Sequence, residues 1–239
     1  MTDSHCVSLL STGPLDVNTF LVSLGGPYVL VVDPAACRES GDEDKISSAL
    51  KSKSCVPVAV ILTHGHFDHV SGIRHLRDVW HDLPVLIHED DAPYIGRSSL
   101  RMHEASLERI GFGAFLPALT NLPEPSAFLR HGKNLREIME PLNAADFESF
   151  SGGLSEWTVI HTPGHTPGGC CLYNAERSIL LSGDTVFFHS YGRTDLPGGN
   201  HKILMQSLRR IYSNLPGDTL VFPGHETVAF RLEENLNDF

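Results

Sequence analysis

Apolar residues in the first third of the chain fall in short runs cut by glycine and proline, not at helical spacing. The runs Cys6 to Ser11, Val17 to Ser23 and Tyr28 to Val32 are separated by Gly13-Pro14 and by Gly25-Gly26-Pro27. That pattern predicts three strands joined as an antiparallel meander, which Asp33-Pro34 ends. From Asp42 to Lys53 the period changes: Ile46 and Leu50 stand four apart in a polar background, predicting an amphipathic helix. The unbroken run Val58-Ala59-Val60-Ile61-Leu62 then reads as a buried strand.

Val70 to Trp80 is predicted helical, and Pro84 to Ile87 is a returning strand. Residues 91 to 150 are the least regular part, with helix around Ser98 to Ile110 and a Gly-, Pro- and Phe-bearing segment from Gly111 to Phe128. Such an insertion is either a lid or a packed connector. Strand runs return at Val159-Ile160, Ile179 to Leu181 and Leu220 to Phe222, and His201 to Asn214 puts Leu204, Leu208 and Ile211 on one helical face. Alternation of strand and helix after the meander implies an α/β protein. No linker, charge run or low-complexity stretch divides the chain, so residues 1–239 are read as one domain.

Several strand ends carry chemistry. His64-Gly65-His66-Phe67-Asp68-His69 follows the run that ends at Leu62 and sets three imidazoles and a carboxylate within six positions, a metal-binding cluster by residue type. With 14 His and 15 Asp in 239 residues, chance supplies only about 0.003 such matches, so scattered surface histidines are a poor explanation. Val159-Ile160-His161 runs into the turn Thr162-Pro163-Gly164 that presents His165; the strands before Gly183-Asp184 and Gly224-His225 do the same for Asp184 and His225. Five imidazoles and two carboxylates with no thiolate suit a catalytic zinc, iron or manganese site better than a structural zinc cluster.

Hydrophobic residues make up 41% and charged residues 20%, ordinary values for a globular enzyme. A net charge of -11 without any Lys/Arg-rich segment argues against a nucleic-acid partner. Met1 to Leu10 lack a positive leading region and a long apolar stretch, and no aliphatic run approaches the ~20 residues that cross a bilayer. Neither export nor a membrane partner is therefore expected, and the expected location is cytoplasmic. Cys6, Cys37, Cys55, Cys170 and Cys171 form no Cys-x-x-Cys pair and are expected reduced, with Cys170 and Cys171 as packing residues.

In these motifs and their order the chain resembles the metallo-beta-lactamase superfamily, whose signature is His-x-His-x-Asp-His followed by a distant His, an Asp and a final His; the match spans residues 64 to 225. The resemblance implies a four-layer αβ/βα sandwich with metals at one edge, between two mixed sheets. It also implies two divalent metal ions, zinc first and iron or manganese as alternatives: His64, His66 and His165 at one, Asp68, His69 and His225 at the other, and Asp184 bridging. A metal-bridging hydroxide would then attack a substrate carbonyl while the metals stabilise the oxyanion, and Asp68 is the one ligand given a further catalytic role, orienting the water. A thioester suits this chemistry, because a thiolate leaves without the proton that an amide nitrogen needs.

Phe188 to Asn200, with Gly192-Arg193-Thr194-Asp195, is similar to the Gly-Arg-x-Asp stretch of the glyoxalase II and persulfide dioxygenase branches, and His161 to Gly169 fits the same branches. Arg193 and Asp195 are read as an ion pair locking that turn in preference to a contact with an anionic substrate; Asn18 and Tyr173 stand between the same two readings and receive no role. Two-domain glyoxalase II enzymes carry a C-terminal helical region that grips glutathione. This chain, with 14 residues after His225, resembles instead the short glyoxalase II-like (hydroxyacylglutathione hydrolase-like) members. The leading expectation is a thioesterase for a small-molecule substrate such as S-lactoylglutathione or another glutathione thioester. The alternatives are a persulfide dioxygenase with one iron on His64, His165 and Asp184, which leaves His66 out, or a hydrolase of another ester or amide. The complete second-site set favours two metals.

Overall fold

Period-two alternation sorts the early side chains onto two faces. In the computed structural model, which describes residues 6–235, β1 (Val7–Thr12), β2 (Val17–Gly25) and β3 (Tyr28–Val32) pair antiparallel as the meander predicts. The N-terminal segment read above for a leader lies partly outside the described residues. The same sheet continues in parallel through β4 (Val56–Ile61), β5 (Val85–His88) and β6 (Ala127–Leu129), giving six strands in chain order. A second sheet has the order β13-β12-β9-β8-β7, formed by β7 (Trp157–His161), β8 (Cys170–Asn174), β9 (Ile179–Gly183), β12 (Leu220–Pro223) and β13 (Phe230–Arg231). Between β9 and β12 the chain makes the small hairpin of β10 (Val186–Phe187) and β11 (Ser190–Tyr191).

Three apolar clusters define the layers. Between the sheets, Phe20, Leu30, Val32, Ala59 and Ile61 of the first meet Val159, Leu172, Ile179 and Leu181 of the second. On the outer face of the first sheet the alternate residues Val29, Val31, Val60 and Leu62 pack under α1 (Lys45–Ser52) and α3 (Ile73–Val79), through Ile46, Leu50, Ile73 and Leu76. After β6 come the short helices α5 (Leu135–Met139) and α6 (Phe147–Ser155), and outside the second sheet α7 (His201–Asn214) seats Leu204, Leu208 and Ile211 on Cys171, Leu180 and Val221. The arrangement is the four-layer αβ/βα sandwich. Among the described residues no helix is long and apolar enough to cross a membrane.

Two expectations are corrected. Val70 to Trp80 is not one helix: α2 (Phe67–Val70) stops, and α3 restarts at Ile73. The cause is the loop after β3, which presses on the break. Ser71 donates to the Ala35 carbonyl and the Gly72 N–H to the Pro34 carbonyl, and a Cβ on Gly72 would lie 2.8 Å from the carbonyl oxygens of both Pro34 and Ala36. The segment from Gly111 to Phe128 is more ordered than its composition predicts, because after a 3₁₀ turn over Gly113–Leu119 it reaches the first sheet as β6. Within residues 91 to 150, Phe112, Phe115, Leu116, Leu119 and Leu122 pack into the outer cluster of the first sheet, as a packed connector does, while α4 (Ser99–Ile110) forms one wall of the cleft described below.

Phe20 is 2% exposed and meets Phe222 edge to face at 5.9 Å, joining the two sheets. Phe20→Ala is expected to cost about 3–5 kcal/mol of unfolding free energy, measured by urea denaturation of chelator-treated protein; a loss below about 1 kcal/mol would mean that this contact is not core.

Candidate metal centre

In the first sheet β3, β4 and β5 run parallel, and in the second β7, β9 and β12 share one direction, so six C-terminal strand ends gather at one edge. Those ends lead to Asp33, His64, Asp91, His165, Asp184 and His225 in turn. His66, Asp68 and His69 come with His64 on the turn into α2.

All seven residues singled out by sequence meet here. His64, His66 and His165 offer ligand atoms within 4.8 Å of one another, and so do Asp68, His69 and His225. Asp184 stands between the two groups: Oδ1 is 3.4 Å from His69 Nε2, while Oδ2 is 3.5 Å from His165 Nε2 and 3.6 Å from His225 Nε2. Gly224 permits this closeness, since a Cβ there would run into Asp184 Oδ1 and the His69 ring.

Four of the five imidazoles are oriented by their other nitrogen. His69 Nδ1 donates to Asp33 (3.0 Å), His165 Nδ1 to the Arg193 carbonyl (2.7 Å) and His225 Nδ1 to the Leu15 carbonyl (3.1 Å). Thr63 gives its hydroxyl proton to Asp33 at 2.6 Å, which leaves its oxygen to accept from His64 Nδ1 at 3.1 Å. The Nε2 lone pairs of these four rings are thereby turned inward. His66 presents Nδ1, 2.8 Å from His165 Nε2, and His69 Nε2 lies 3.2 Å from His225 Nε2.

Such an arrangement asks for cations. Buried His64 Nε2 and Asp184 Oδ1 have no hydrogen-bond partner, which is costly in a dry site. Burial, and then the neighbouring imidazoles, hold the His64 and His66 pKa values well below the ordinary histidine range, so both rings are neutral. Burial works against the His69 imidazolium as well, yet Asp184, Asp68 and Asp33 outweigh it and push its pKa up to about 10. Asp68 is held well below the usual carboxylate range despite its burial, because His69 and His225 face it. Neutral imidazole donors beside carboxylates that attract positive charge fit divalent metal ions.

Two carboxylates and one amide that sequence reasoning passed over hold the turns in place. Asp33, at a left-handed φ of +51, accepts from the Thr63 N–H and hydroxyl and from His69. Asp91 accepts from the Gly65 N–H (2.9 Å), the Thr166 hydroxyl (2.7 Å) and the Gly168 N–H (2.7 Å). Asn18 donates to the carbonyls of Pro223 and Glu226, on either side of His225. Position was the available signal: Asp33 and Asp91 each lie just beyond a buried strand. His161, at the end of β7, stacks on His88 at 3.9 Å and donates to the Pro167 carbonyl, bracing the His165 turn.

Arg193 and Asp195 form a two-bonded ion pair at 2.7 and 2.8 Å, as expected of a locked turn. Tyr173 packs beside the α7 cluster, away from the metal ligand candidates. Cys170 and Cys171 are buried free thiols; burial raises both, Cys171 to about 11.

The family model of the metallo-beta-lactamase superfamily matches residues 12–225. The chain belongs to the metallo-beta-lactamase superfamily. The probable metallo-hydrolase YqgX of Bacillus subtilis (strain 168) is 30% identical over 216 residues, covering 90% of this chain and 88% of its own. Among solved structures, TTHA1623 in a di-iron-bound form is 30% identical with a TM-score of 0.75, covering 97% of this chain and 98% of its own. The BLEG-1 B3 metallo-beta-lactamase is 26% identical with a TM-score of 0.76, over 97% and 96%. Each of the three matches at least 88% of either chain's length.

Asp33→Ala removes the acceptor of His69 Nδ1. Metal affinity is expected to fall about ten- to hundredfold in chelator competition, the usual loss when a ligand's hydrogen-bond partner goes; unchanged affinity would show that Asp33 does not orient His69.

Proposed function

We propose that the chain is a dinuclear metal-dependent hydrolase of thioesters, of the glyoxalase II-like kind, for which S-lactoylglutathione is the test substrate. One observation carries the two-metal reading: Asp184 lies between both triads, with one oxygen toward His69 and the other toward His165 and His225. His64, His66 and His165 would hold one ion, Asp68, His69 and His225 the other, and Asp184 both. The di-iron form of the relative TTHA1623 and the metallo-hydrolase name of YqgX support this reading. His66 stands inside the cluster, which a single ion on His64, His165 and Asp184 would leave idle, so the dioxygenase alternative is not favoured.

Bound ions of this kind lower the pKa of water toward neutrality and polarise a carbonyl oxygen. The chain's own part is to aim five ring nitrogens at one point, to hold the His64 and His66 rings neutral, to fix Asp68 as a carboxylate able to orient a water, and to give the substrate a place. That place is a cleft of about 580 Å³ against the centre, a volume ordinary for a small-molecule site. Tyr94 spends its hydroxyl proton on the Pro197 carbonyl, and burial holds His103 down to about 4, so neither is a ready acid for a poor leaving group. A thiolate needs none.

Chelator-sensitive turnover of S-lactoylglutathione by protein carrying two metal equivalents is the expected result, and no turnover of any thioester by such protein would overturn the proposal. His66→Ala is expected to abolish hydrolysis and to leave about one equivalent of metal or fewer, read by elemental analysis. Asp184→Ala should lower occupancy at both sites; loss of a single equivalent with the other held at full strength would contradict the bridging role.

A further inference from the structure

The cleft's walls differ from what a glutathione carrier needs. Leu15, Phe67, Leu107, Ile110, Phe187 and Leu196 make its wall apolar from three directions: the β1–β2 turn, the α2–α4 side and the β10 hairpin with the loop after it. Arg193 is the one cation other than histidine among the described lining residues, and Asp195 holds its guanidinium through Nε and Nη2. Arg109, on α4 nearby, is exposed and turns Nη1 to the Asp195 carbonyl. The lining carboxylates away from the metal cluster, Asp16 and Glu226, are exposed. A ligand group carrying carboxylates would meet one cation already paired with Asp195 and the like charge of Asp16 and Glu226, whereas a methylene chain would find a matching wall.

Resting on the thioesterase reading, we infer that the cleft selects an apolar acyl or alkyl chain on an uncharged thiol carrier, and that glutathione derivatives are its poorer ligands. Size agrees: about 580 Å³ accommodates a medium-length chain beside the metal centre. Selectivity resides on α4, where Ile110 and Ser106 face the cleft and are both half-buried.

The test is binding without turnover, by titration calorimetry on metal-loaded protein with two thioethers that differ only in the carrier: S-hexyl-N-acetylcysteamine and S-hexylglutathione. The neutral thioether is expected to bind at least about tenfold tighter, and affinity is expected to rise by about three- to fourfold for each methylene added from butyl to octyl. Ser106→Lys, which adds a cation to the wall at a half-exposed helical site, should close the gap between the carriers by strengthening S-hexylglutathione. Equal or tighter binding of S-hexylglutathione to the wild type, affinity independent of chain length, or an unchanged gap in Ser106→Lys would each overturn the inference. The neutral preference found together with no hydrolysis of any thioester would leave this inference standing and remove the thioesterase proposal.

Discussion

The carboxylate of Asp91 joins the two sheets at the point where the functional side chains meet, and much of the site depends on that junction. Its oxygens accept from Gly65, on the turn that follows the first sheet's β4, and from Thr166 and Gly168, on the turn between β7 and β8 of the second. Burial raises its pKa, while the three donors act in the opposite direction. An amide could not replace it cleanly, because all three partners donate and an amide offers one accepting oxygen. With the turns fixed, His64 and His66 face His165 across the interface. Neither sheet supplies a complete ligand set: the first brings His64, His66, Asp68 and His69, and the second His165, Asp184 and His225.

Around that junction the structure repeats one device. An imidazole of the cluster gives its outer N–H to a fixed oxygen and turns its other nitrogen inward, with Asp33, the Leu15 carbonyl, the Arg193 carbonyl and Thr63 as the four oxygens. Among the described residues the buried His64 Nε2 and Asp184 Oδ1 find no hydrogen-bond partner, a deficit that divalent ions would meet. The apolar sandwich on either side supplies the rigidity to keep such a cluster together. β3, β4 and β9 are buried along most of their length, so the strand ends that carry the turns have little freedom to move.

Sequence made the ligands legible because their spacing is local: His64 to His69 fall within one turn, and His165, Asp184 and His225 each follow an apolar run and a glycine or proline. The meander, α1 and α7 were equally plain from periodicity. Asp33, Asp91 and Asn18 were hidden because their roles are long-range; Asn18 reaches Pro223 across 205 positions and Asp91 reaches Gly168 across 77. An isolated carboxylate after a strand looks the same whether it clasps a distant turn or meets water. The break between α2 and α3 was hidden for a like reason, since Gly72 yields to a loop from another part of the chain. β6 escaped notice because three residues carry too little pattern.

The central claim is that two ions share Asp184 in one centre, and the most direct test is to titrate metal-free protein with Mn²⁺ while recording its electron paramagnetic resonance spectrum. Two ions per chain with an exchange-coupled spectrum is the predicted result. A single bound ion, or two that behave as magnetically isolated, would contradict it.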